Sequence, residues 1–241
     1  MRVFAGPNGS GKSVLKSYLQ EPLLGIYLNP DEIEADVKER GYVDLGGFGI
    51  ESSADEVLPV FTESGFLRSE GFGKAAESLT FNDGKLGFLP GVMNSYFASV
   101  LAAFLRRKLL ELGRTFTFET VMSHPGKVEI LRNAQEAGYR TYLYYVATDD
   151  PTINVSRVAN RVALGGHPVP EDKIVSRYHK SLDLLLSAIR FTNRAYIFDN
   201  STNNADGMHT WLAEITDGKT LELKTDRIPA WFQHAVLEKI A

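Results

Sequence analysis

The sequence predicts an α/β fold in three layers, α/β/α, around a mainly parallel sheet that carries an inserted glycine-rich segment. Three observations predict it. Short apolar or β-branched runs alternate with helical patterns along the 241 residues, the order of a parallel sheet covered on both faces. A glycine-rich loop joins the first such run to the first helix. Residues 44–91 hold nine of the chain's 21 glycines, far more chain than a crossover loop needs.

The first run, "RVFA", reads as a buried strand, and "GPNGSGKS" follows it. Gly6, Pro7, Asn8, Gly9, Ser10, Gly11, Lys12 and Ser13 fit G-x-x-x-x-G-K-[ST] at every fixed position. Gly6, Gly9 and Gly11 let the backbone turn sharply enough for successive N–H groups to face phosphate oxygens. Lys12 is then placed to reach the β- and γ-phosphates, and the Ser13 hydroxyl to ligate Mg²⁺. The helix "KSVLKSYL", running on through Val14, adds its positive N-terminal end. This signal points to a nucleoside triphosphate with Mg²⁺ and leaves the reaction open.

Further strands are expected at residues 25–28, 115–119, 141–147 and 195–199, each a short apolar or β-branched run. Helices are expected at 31–40, 92–112, 125–137, 151–163, 170–189 and 205–215. Gly138 suits the left-handed position that ends the third of these. The last residues read as a strand, a turn at Pro229 and a short amphipathic helix. The whole, 1–241, is read as a single domain with an insertion at about 44–91. That insertion reads as irregular chain, yet Phe48, Phe61, Phe66, Phe72, Phe81 and Phe88 argue against simple disorder. A packed lid or partner-binding cap suits it better.

Composition narrows the function classes. Lys and Arg number 26 against 30 Asp and Glu, for a net charge of −4, so bulk electrostatics gives no reason to expect nucleic acid. The absence of cysteine excludes disulfides, thiolate metal sites and a Cys nucleophile. No apolar run approaches the roughly 20 residues needed to span a bilayer, and the first strand follows Met1 directly, leaving no room for a signal peptide. The expectation is a soluble, cytoplasmic protein without a membrane partner.

Several later residues could turn nucleotide binding into a reaction. In "YLNPDEI", Asp31 sits just beyond the second strand, where it could accept a proton from a substrate hydroxyl or hold Mg²⁺ through water. It also suits a helix N-cap, and the two roles are compatible. "FTFET" ends a strand with Glu119 and Thr120, a carboxylate and a hydroxyl suited to a polyol or sugar, or simply a solvated strand end. In "RVANRVALGGHPVPEDKI", Arg157 and Arg161 lie on one helical face. Gly165 and Gly166 could hinge a lid that brings those arginines to a transferring phosphoryl group, the alternative being a solvated helix face. His167 would shape that lid. Asp199, in "YIFDN", is not assigned to Mg²⁺.

Taken together, "GPNGSGKS", "NPDEI", "FET", "RVANRVALGGHPVPEDKI" and "DNS" resemble the zeta toxin family of small P-loop kinases, over residues 2–40 and about 92–201. The resemblance implies a P-loop kinase-like fold and transfer of the γ-phosphoryl group of ATP or GTP to a hydroxyl of a small-molecule acceptor, in the best-known members UDP-N-acetylglucosamine. It implies a nucleotide-sugar substrate and an antitoxin protein as partners, and Mg²⁺ as cofactor. By matching motif, Lys12 and Ser13 would serve nucleotide and metal, and Asp31 would be the base. Glu119 and Thr120 would meet the acceptor, and Arg157 and Arg161 would clamp phosphates. The insertion at 44–91 departs from the compact family pattern. A kinase of nucleic-acid ends or of another metabolite, or a nucleotide-binding switch module without transfer, are the other readings of the same residues.

Overall fold

The computed structural model describes residues 1–166, 168–202 and 209–240. In chain order, β1 (Arg2–Ala5) leads through the glycine-rich loop to a 3₁₀ helix (Lys12–Tyr18), then α1 (Glu21–Leu24), β2 (Ile26–Leu28), α2 (Pro30–Arg40) and β3 (Tyr42–Asp44). There follow α3 (Ala54–Thr62), α4 (Gly65–Ser69), α5 (Gly73–Ala76), β4 (Thr80–Asn82), β5 (Lys85–Gly87) and α6 (Ser95–Glu111). Next come β6 (Phe116–Thr120), α7 (Gly126–Glu136), β7 (Tyr142–Ala147), α8 (Pro151–Ala163), α9 (Glu171–Arg190) and β8 (Arg194–Asp199). The chain ends with β9 (Thr210–Thr216), β10 (Thr220–Leu223) and a helical segment that begins at Ala230–Phe232 and passes into a π-helical turn, Gln233–Leu237.

Two compact units are distinguished: Met1–Leu24 with Thr117–Ala241, and Gly25–Phe116. In the first, the strand order is β10-β9-β8-β7-β1-β6. β1 runs parallel to β6 and β7, β7 parallel to β8, and β9 antiparallel to both β8 and β10. The inner strands are buried along almost their whole length, as parallel strands covered on both faces must be. β1 is an inner strand between β7 and β6, so its carboxyl end delivers the glycine-rich loop to the carboxyl edge of the sheet, where ligands of open α/β sheets bind. α7, α8 and α9 pack together, α9 burying Ile174, Tyr178, Leu185, Ala188 and Ile189. Polar pins fix their depth: Tyr178 Oη donates to Thr148 O at 2.6 Å, and Ser181 Oγ donates to Val121 O at 2.7 Å. Burial pushes the Tyr178 and Tyr145 phenols well above their ordinary range, so both stay protonated donors.

In the second unit, α2 packs on α6, and β3, β5 and β4 form a small antiparallel sheet in that order. The segment expected to be irregular, 44–91, is built of short elements. Its glycines act as punctuation: Gly49, Gly71, Gly84 and Gly91 all take left-handed φ, between 66° and 84°, where chain direction changes. Two of its phenylalanines, Phe61 and Phe88, are buried, while Phe66 is exposed: Phe61 stacks on Phe97 of α6 at 6.3 Å and meets Phe88 edge-on, and the half-buried Phe72 meets Phe97 and Tyr96. A Lys108–Glu56 ion pair at 2.7 Å joins α6 to α3.

Two element expectations are corrected. The helix after the glycine-rich loop is 3₁₀ over Lys12–Tyr18, with Val14 N bonded to Gly11 O at 3.1 Å. The helix expected at 205–215 is instead the strand β9 from Thr210 onward, residues 205–208 lying outside those described. "TWLAEI" contains good helix formers, but pairing with β8 on one side and β10 on the other outweighs that weak preference.

Candidate active site

The loop that follows β1 is held from behind by three elements of its own unit. Gly6 takes φ 142°, and a Cβ there would fall 2.0 Å from Val146 O of β7. A Cβ at Gly9, φ 75°, would fall 2.6 Å from Asn154 O of α8. At Gly11, φ 98°, it would meet Asn200 Nδ2 at 2.4 Å and His209 Nε2 at 2.9 Å. The three glycines are therefore required by close packing of the protein as well as by the turn.

Within the loop, Ser10 N–H donates to Pro7 O at 3.2 Å, while the N–H groups of Asn8, Gly9 and Gly11 enter no backbone hydrogen bond among the described residues. Lys12 Nζ reaches back across the loop to Gly6 O at 2.9 Å and Pro7 O at 3.0 Å. Ser10 is fully buried and its hydroxyl has no hydrogen-bond partner among the described residues, an arrangement that costs free energy unless a ligand completes it. Uncommitted N–H groups, an orphaned hydroxyl, a lysine and a helix start in one turn of chain fit a polyphosphate. Ser13 is exposed at the start of the 3₁₀ helix, where its hydroxyl can take a place on Mg²⁺. Among the described residues no three His, Asp or Glu side chains are grouped to hold a metal by themselves. Mg²⁺ carried on a phosphate with one hydroxyl ligand suits that donor set.

Pairing register puts Glu119 opposite Phe4 and Thr120 opposite Ala5, so the end of β6 lies beside the strand end that feeds the loop. Thr120 Oγ1 accepts from Met122 N at 3.0 Å, and Met122 itself takes φ 54°, a left-handed conformation rare for a side chain of that kind. Arg157, on α8, is half-buried and donates through Nη1 to Asn200 O at 2.8 Å. Burial holds its guanidinium below the usual arginine range, and nearby Asp199 partly offsets that. Arg161, one turn on, is exposed, with its stem against Gly166, whose N–H donates to Arg161 O at 2.9 Å. Gly165 takes φ 89° beyond the helix end, next to the exposed Leu164. His167 falls outside the described residues.

Lys12, Ser13, Glu119, Thr120, Arg157 and Arg161 thus belong to one compact unit, and Asp31 to the other. Asp31 is not the cap of α2. Asn29 is: its Oδ1 accepts the Asp31 N–H at 3.0 Å, which leaves the exposed Asp31 carboxylate in the first turn. Asp199 is committed, accepting from Ser201 Oγ at 2.6 Å and from Trp231 Nε1 at 2.8 Å.

Sequence reasoning missed Asn154, Asn200 and His209, which back the loop. His209 is buried against Tyr18 and Phe198, and neither ring nitrogen has a hydrogen-bond partner among the described residues. Burial, with Arg157 adding and Asp199 opposing, lowers its pKa from 6.5 to about 4. The folded state therefore refuses a proton that the unfolded chain takes up below about pH 6.5, and stability falls on acidification through that window. At about 1.4 kcal/mol per pKa unit the loss by pH 4 is about 2–3 kcal/mol. Melting curves from pH 7 to 4.5 should accordingly be steeper in pH for the wild type than for His209→Phe, and parallel profiles would contradict this.

An open α/β sheet with a complete phosphate loop at the end of an inner parallel strand defines a P-loop nucleotide-binding protein. Residues 91–206, just under half of the chain, match the model of the zeta toxin family, and over that stretch the resemblance read from the motifs is borne out. An uncharacterized protein of Haemophilus influenzae is 32% identical over 63 residues, which cover 26% of this chain and 45% of that protein. The match thus spans less than half of that relative. Among solved structures, the PezAT chromosomal toxin–antitoxin system of Streptococcus pneumoniae is similar with a TM-score of 0.49 and 15% identity, over 99% of this chain and 77% of that one. The AvrRxo1-ORF1:-ORF2 complex with ATP gives 0.48 and 16%, over 99% of this chain and 62% of that one. No helix among the described residues is long and apolar enough to cross a membrane.

Proposed function

We propose that the protein is a kinase that transfers the γ-phosphoryl group of ATP or GTP to a hydroxyl of a small-molecule acceptor, with UDP-N-acetylglucosamine as the favoured acceptor and an antitoxin protein as partner. The observation that carries this reading is the complete phosphate loop, with Lys12 folded across it and Glu119 and Thr120 in register beside the strand that feeds it. Lys12 and the loop N–H groups hold the β- and γ-phosphates, and Ser13 shares the Mg²⁺. Mg²⁺ held there would offset the negative charge of the phosphates. Glu119 and Thr120 bind acceptor hydroxyls, and Asp31 takes the proton from the attacking one. Arg157 and Arg161 supply positive charge as the phosphoryl group transfers. Incubation with ATP and a metabolite extract, followed by mass spectrometry of newly phosphorylated species, tests the acceptor. A phosphorylated UDP-N-acetylglucosamine is expected, and enrichment of a different metabolite would reassign the substrate.

Arg161 gives a second test. An arginine aimed at the transition state acts only as charge spreads over the equatorial oxygens, so its loss lowers turnover more than ground-state binding. Arg161→Ala should cut kcat by at least roughly 10²-fold while nucleotide affinity weakens far less. Arg161→Lys should rescue poorly, because an ammonium lacks the planar two-pronged contact. Equal losses of affinity and turnover, or neither, would remove Arg161 from this role.

A further inference from the structure

The phosphate loop is gripped by two asparagines to which the motifs assign no role: Asn154 lies outside them, and Asn200 is the middle residue of "DNS". Asn154 is fully buried on α8, and its Nδ2 donates to Asn8 O at 2.6 Å. Its Oδ1 is in turn held by the Thr148 hydroxyl, which fixes which way the amide faces. Asn200, just past β8, donates through Nδ2 to Ser10 O at 2.9 Å, and its own carbonyl accepts from Arg157 Nη1 at 2.8 Å. The same two residues stand against Gly9 and Gly11, the positions where a Cβ would collide with them. In a loop whose N–H groups are to face phosphate, carbonyls must turn the other way, and a carbonyl turned into protein needs a donor there.

We propose that Asn154 and Asn200 are positioning residues for the phosphate loop: by taking the Asn8 and Ser10 carbonyls they keep the Gly9 and Gly11 N–H groups, on the other side of the same peptide planes, directed at phosphate. This inference rests on the reading of the loop as a triphosphate site. It also reassigns part of the work of Arg157, which acts on the loop through Asn200 as well as by its charge. Because Asn154 and Arg157 both sit on α8, the helix that carries Arg161, the shape of the loop and the placement of that arginine are set by one element. Gly9 and Gly11 are then required for two separable reasons, turning the chain and admitting the asparagines.

The test is calorimetric titration of Mg·ATP into wild type, Asn154→Ala, Asn200→Ala, the double variant and Lys12→Ala, with a melting curve for each. Each single asparagine variant should raise Kd about 5- to 10-fold and the double variant at least 30-fold, with the fitted stoichiometry unchanged. A merely structural role would lower the binding-competent fraction and leave Kd as it was. That result, or Kd within twofold of wild type for all three variants, would overturn the proposal while a large effect of Lys12→Ala left the triphosphate reading standing. Should wild type bind no Mg·ATP, or should Lys12→Ala bind it equally well, both fall. If the double variant fails to fold, the two single variants carry the decision.

Discussion

Lys12→Ala should abolish measurable phosphoryl transfer and weaken Mg·ATP binding at the same time. Lys12 Nζ already spans the loop, hydrogen-bonded to Gly6 O and Pro7 O, so one side chain contributes both to the shape of the loop and to its charge. Removing it deletes the compact positive charge proposed to meet the β- and γ-oxygens, in a loop whose fully buried Ser10 hydroxyl has no partner among the described residues. Both kcat and affinity should therefore fall, in contrast to the Arg161 variant, where turnover should fall far more than affinity. The fold should survive, because Lys12 is only half-buried and the glycines, not the lysine, make the close contacts with Val146, Asn154 and Asn200. Unchanged affinity together with unchanged turnover would remove the loop from the chemistry.

Asp31→Asn should lower turnover by roughly 10²–10⁴-fold, the range for a lost general base, with little change in nucleotide affinity. The substitution keeps shape and removes the proton acceptor. Asn29, rather than Asp31, caps α2, so the helix keeps its cap and the variant should melt close to wild type. That separation makes the result readable: a cap would show in stability, a base in kcat. Turnover within a few-fold of wild type would leave Asp31 as an acidic residue in a helix first turn, favourable to the helix by its charge alone.

The parts legible in the sequence are those where chemistry fixes local spacing. The phosphate loop is eight consecutive residues, and the parallel strands announce themselves as apolar runs because both their faces are covered. Asn154 and Asn200 were not legible, since their partners Asn8 and Ser10 are 146 and 190 residues away, and a buried asparagine looks in sequence like any other. The glycines of 44–91 suggested irregular chain, yet four of them serve left-handed positions between short elements whose core is phenylalanine. β9 was misread because "TWLAEI" has helix-forming composition and the deciding hydrogen bonds come from β8 and β10. Arg157 was read by its charge, and its bond to Asn200 O became visible only in three dimensions.

Transfer to a hydroxyl is distinguished from simple hydrolysis by following two labels at once. Protein is incubated with Mg·ATP labelled at the γ-phosphate in one reaction and at the α-phosphate in another, with UDP-N-acetylglucosamine present and Lys12→Ala run in parallel. γ-Label should move into a phosphate monoester of the acceptor in equal amount to the ADP formed, α-label should stay in ADP, and Lys12→Ala should form neither product. Release of γ-label only as inorganic phosphate, with no labelled acceptor from this sugar nucleotide or from a metabolite extract, would contradict this transfer and leave a nucleotide-hydrolysing switch.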